Sequence, residues 1–143
     1  MKKTHTKKTI IISSVLVATL LSGCAFFQTG YDIGFATGSA VKITEGYQPE
    51  DLKTGLTVAY KVLCLVIDGA DDSLLDDLVQ KEIAKISAGE DTGAVRVISL
   101  QAYQYFKGKI TQATASMSKE ETMVWLAQYQ QGIADSLKMY ETE

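Results

Sequence analysis

Leu52, Leu56, Ala59, Leu63 and Val66 recur at spacings of four and three. That period lines them up along one side of an α-helix, where a half-buried strand would need strict alternation. Three later stretches keep the same period. They are Leu74, Leu75, Leu78, Val79, Ile83 and Ile86; then Ala94, Val95, Ile98, Ala102, Tyr105, Phe106, Ile110 and Ala113; then Met123, Leu126, Ile133, Leu137 and Tyr140, with Trp125 and Tyr129 beside them. The breaks between them suit helix ends. Pro49, the only proline, can open a helix, with Glu50 and Asp51 well placed in its first turn. Asp68-Gly69 can close it, and Asp71, Asp72 and Ser73 can cap the next. Ser118 and Glu121 have the spacing of a capping box. The expected fold is all-α, a small bundle of four to five helices. The alternative is α/β, because 57–67 is rich in β-branched residues and 94–100 has a strand-like run. Val58, Val62 and Leu65 widen the apolar face of the Leu52–Val66 segment, which is expected to be the most buried. Gly108 is expected to bend or shorten its helix.

Gly30, Gly34 and Gly38 stand four apart and share one helical face, where another backbone can come close. One reading is a glycine zipper that packs at a membrane or drives self-association. The other is a short helix packed tightly on a neighbour within the domain. Asp32 and Lys42 disfavour insertion in a bilayer, and each glycine weakens an isolated helix by about 1 kcal/mol relative to alanine. Close packing within the domain is the favoured expectation.

Residues 1–23 differ from the rest. Lys2, Lys3, Lys7 and Lys8 give a positive start, and Ile10 to Leu21 is an apolar run broken only by Ser13, Ser14 and Thr19. That run is about 12 residues, whereas a spanning helix needs roughly 20. It has the form of a secretory signal. The closing Leu21-Ser22-Gly23-Cys24 resembles the lipobox of bacterial lipoproteins. The resemblance covers residues 1–24 and says nothing of the remaining 119. It implies that Cys24 carries a diacylglycerol thioether, that the chain is cut before it, and that a fatty acyl chain (palmitate) joins the new amino end. No other cofactor and no metal are expected. The organisation expected is thus a signal peptide at 1–23, an anchor and short tether at 24–29, and a helical periplasmic domain at 30–143. Phe26 and Phe27 follow the anchor closely, and either dip into the interface or pack on the domain. Ala25, in place of the aspartate that retains enteric lipoproteins at the inner membrane, implies an outer-membrane location facing the periplasm.

Removing the signal takes four lysines with it. Ten basic residues then face 17 acidic ones, a formal charge of about −7. Such a domain is a poor partner for nucleic acid. The only histidine, His5, lies in the signal, so histidine-based catalysis and metal binding are not expected of the remainder. Cys64 would be the only unmodified thiol, expected to be buried in the run Val62-Leu63-Cys64-Leu65-Val66. Asp68, Asp71, Asp72, Asp76 and Asp77 gather five carboxylates in ten residues. Their spacing departs from an EF-hand loop, so helix capping and a solvated face are expected rather than calcium binding. Tyr103, Tyr105 and Phe106 are expected mainly in the core.

No nucleophile elbow, phosphate loop or ligand cluster is visible, and no enzyme activity is expected. The leading expectation is a membrane-anchored, non-catalytic binding or assembly accessory for another envelope protein. The alternatives are an immunity or exclusion lipoprotein that neutralises a toxin or phage, and a self-associating structural lipoprotein, a possible homo-oligomer.

Overall fold

The computed structural model describes residues 29–40, 47–86 and 92–141. Five α-helices fold into an all-α bundle, with no strand among the described residues. The first, α1, covers residues 29–39. It is followed by α2 (Pro49–Ile67), α3 (Leu75–Ile86), α4 (Gly93–Thr114) and α5 (Lys119–Leu137). Both stretches that could pass for strands are helical, since 57–67 falls within α2 and 94–100 within α4. Their β-branched residues are tolerated because helix-helix packing outweighs weak intrinsic preferences.

Local chemistry sets the helix ends. Pro49 opens α2 with Glu50 and Asp51 in its first turn. At its far end Gly69 takes a φ of 114°, a conformation open mainly to glycine. The Gly69 amide then donates to the Val66 carbonyl and the Ala70 amide to that of Leu65, the two bonds of a Schellman stop. Asp71 accepts the Ser73 amide at 2.9 Å and starts the 3-10 turn Asp72–Leu74 that leads into α3. At α5 the expected capping box forms: the Glu121 amide donates to Ser118 Oγ at 3.2 Å, and the Ser118 amide to Glu121 Oε2 at 3.1 Å.

The core lies between α2, α4 and α5. Leu56, Val58, Ala59, Val62 and Leu63 of α2 are buried, and each large aliphatic among them stabilises the fold by about 1.5–3 kcal/mol. Val79 and Ile83 close the core from α3, and Val95, Ile98, Ala102, Tyr103 and Phe106 from α4. The α2–α4 crossing is tight because Gly55 has no side chain. A β-carbon there would lie 2.7 Å from Ile98 Cβ. Ser99, buried beside it, donates its hydroxyl to the carbonyls of Val95 (2.7 Å) and Gly55 (3.2 Å), so a polar side chain joins the two helices without an unpaired group.

Three details depart from expectation. Leu65 is exposed rather than core, because five consecutive apolar residues run right around a helix and only part of them can face inward. Gly108 neither bends nor ends α4, which runs on to Thr114. On α5 the buried set is Trp125, Tyr129, Gly132, Ile133 and Ser136, while Met123 is exposed. This helix is covered on two sides, by the core and by α1, so its buried arc is turned away from the single stripe expected.

Candidate functional site

Leu21, Ser22, Gly23 and Cys24, and with them Phe26 and Phe27, lie outside the described residues. The described residue group with the most distinctive geometry is the glycine stripe. Gly30, Gly34 and Gly38 are all buried against α5. A β-carbon at Gly30 would stand 3.0 Å from both the Trp125 carbonyl and Gln128 Cβ. One at Gly34 would press into the Tyr129 backbone, 2.9 Å from its carbonyl carbon, and one at Gly38 would collide with the Ser136 side chain. α5 answers with its own glycine, since a β-carbon on Gly132 would lie 2.6 Å from the Phe35 nitrogen and 3.0 Å from the Gly34 carbonyl carbon. Real β-carbon contacts essentially never fall below 3.0 Å, so the two backbones touch directly. The partners rise together along both helices, from Gly30 and Trp125 to Gly38 and Ser136, so α1 and α5 run parallel.

Aromatic and polar groups flank this seam. Trp125 stacks on Tyr129 with ring centroids 4.8 Å apart, and the Tyr129 hydroxyl donates to the Phe106 carbonyl at 2.8 Å. Burial pushes the Tyr129 phenol well above its usual value, opposed in part by a hydrogen bond with Thr37. At the outer edge the Tyr31 hydroxyl donates to Asp135 Oδ2 at 2.9 Å. That bond, followed by Lys138, holds the Asp135 carboxyl below its ordinary range. Among the described residues two buried side-chain polar atoms have no hydrogen-bond partner, Trp125 Nε1 and the Tyr103 hydroxyl.

The acidic cluster resolves into capping and ion pairing. Asp71 caps the 3-10 turn, and its bonds to Ser73 lower its pKa. Asp72 pairs with Lys107, and Asp76 Oδ1 accepts from both Nε (3.0 Å) and Nη2 (2.7 Å) of Arg96. Among the described residues no three His, Cys, Asp or Glu side chains converge as a metal site would require. Cys64 is half-buried between α2 and α5 rather than enclosed in the core. Gln130 Nε2 donates to its sulfur at 3.4 Å. Neighbouring Tyr60 is pushed up to about 12, chiefly by burial and then by its hydrogen bond with Cys64. Tyr103 and Phe106 are core residues, whereas Tyr105 is exposed, with Lys109 Nζ 5.5 Å above its ring.

Sequence reasoning missed the receiving half of the seam. Gly132 and Ser136 stand four apart on α5, the same small-residue spacing as on α1, and that match was the available signal. Among the described residues no helix is long and apolar enough to cross a membrane. Comparison with known proteins gives no match: no family model, no curated protein and no solved structure resembles this chain significantly.

Proposed function

We propose that this chain is a lipid-anchored accessory of the bacterial cell envelope, in which Cys24 carries the lipid and the helical body binds or steadies another envelope protein. The observation that carries this reading is the segment Leu21-Ser22-Gly23-Cys24 following a lysine-rich start and a short apolar run. Diacylglycerol plus an amino-terminal acyl chain suffices for stable attachment, where one chain alone is marginal. Attachment raises the local concentration of the body for a neighbour on the same membrane. The glycine stripe that would carry self-association packs on α5 of the same chain, so it lends that alternative nothing.

Replacing the thiol tests the reading. Cys24→Ala is expected to release the protein from membranes or leave an uncut precursor, read by fractionation and intact mass. Normal cutting with unchanged membrane retention would overturn it. Pull-down with the lipidated protein, read by mass spectrometry, then identifies the neighbour; a secretion component supports the accessory role, and a toxin or phage protein replaces it with the protective one.

A further inference from the structure

If Cys24 bears the lipid, the chain from it to Gly30 spans six residues and reaches at most about 20 Å. The start of α1 therefore stays close to the bilayer. The glycine seam fixes what accompanies it. Gly30 is seated on Trp125 and Gln128, and α1 runs parallel to α5, so the first turns of α5 lie at the tethered end. Those turns carry exposed apolar side chains, with the exposed Glu120 one turn before them on the same face. Met123 is 63% exposed, and Val124 and Ala127 are exposed beside it at helical spacing. The opposite end lies past Leu137, where the 3-10 turn Lys138–Glu141 follows α5 and carries the exposed Met139, roughly 24 Å further along the axis.

We propose that the body rests on the lipid surface by the end at which α1 and α5 both begin, with Met123, Val124 and Ala127 entering the headgroup region and the Met139 end facing away. This rests on the reading that Cys24 is lipidated. The contact is apolar rather than electrostatic. Lys119 is offset at this end by Glu120 and Glu121, and the chain beyond the signal is acidic, so anionic headgroups offer no attraction. A few apolar side chains lying in the interface are enough to orient a body already held by its lipid.

The test uses the full lipidated protein on phosphatidylcholine vesicles with brominated acyl chains. Fluorophores are attached at Met123→Cys or at Met139→Cys, each in a Cys64→Ser background checked by circular dichroism. Both positions are exposed, so labelling leaves the core untouched. Intact mass first establishes the acyl groups on Cys24. The label at 123 is expected to be quenched at least about threefold more than that at 139, given insertion to about 5–10 Å, with no change in high salt. Equal quenching, the reverse order, or quenching at neither site would overturn the orientation while leaving the anchor intact. A protein that lacks the acyl groups would instead remove the anchor, and the orientation with it.

Discussion

Two parts of the molecule hold helices together by opposite means. Between α1 and α5 little side chain intervenes, because four glycines let the helices approach, and at Gly34 and Gly132 backbone meets backbone that cannot yield. Between the α3 region and α4, charged side chains reach across partly exposed ground, Asp72 to Lys107 and Asp76 to Arg96. At Gly34 and Gly132 the first arrangement is intolerant of an added carbon. The second is made of long, solvated side chains whose pairing is worth little and is screened by salt. Close approach thus sets where α1 must lie, while the ion pairs only trim a position already fixed by Val79 and Ile83 in the core.

The sharpest break in this contrast is Gly34→Leu, expected to destabilise the body by about 3 kcal/mol through overpacking against a backbone that cannot shift. Urea unfolding of residues 25–143 measures it, and an unchanged midpoint would mean that the seam is loose. Gly108 is the control glycine, with nothing within 4 Å of a β-carbon. Gly108→Ala is expected to act in the other direction, raising stability by about 0.5–1 kcal/mol because alanine suits a helix interior better. A loss there would show a neighbour packed against α4 at this point. At the ion-paired corner Asp76→Ala is expected to cost less than about 1 kcal/mol, and the effect should vanish in 1 M salt. A larger, salt-resistant loss would make the two regions alike.

The smallest effect is a pH dependence at the edge of the seam. The Tyr31 bond, then Lys138, lowers the Asp135 carboxyl below 3.8, so its contribution is complete above that value and is lost as pH falls through the lowered folded-state value. The same bond, with burial second, raises the Tyr31 phenol above 10.0. Its contribution is complete below pH 10 and is lost as pH rises through the raised value. Tyr31→Phe should shrink both arms of the stability profile in thermal melts across pH. A profile identical to that of the unaltered protein would show that the bond contributes nothing in solution.

Helix type and number were legible from apolar spacing and caps, and the Ser118 and Glu121 box formed as its spacing implies. What escaped was rotation about the helix axis. A stripe such as Met123, Leu126 and Ile133 identifies a helix, but α5 is covered from two directions, and periodicity alone assumes one. Cys64 and Leu65 escaped for a related reason, since an unbroken apolar run carries no phase. Gly132 was overlooked because its counterpart lies about 100 residues earlier, and a small residue declares its purpose only beside the backbone it admits.

The parallel seam joins the beginning of the folded body to its end, with Tyr31 and Asp135 separated by 104 positions. α1 is made long before α5, the helix on which it rests. Closure over so long a span is slow, and it cannot begin before α5 exists. During synthesis the glycine face of α1 therefore stays uncovered until α5 has been made, and the seam is a contact that closes late.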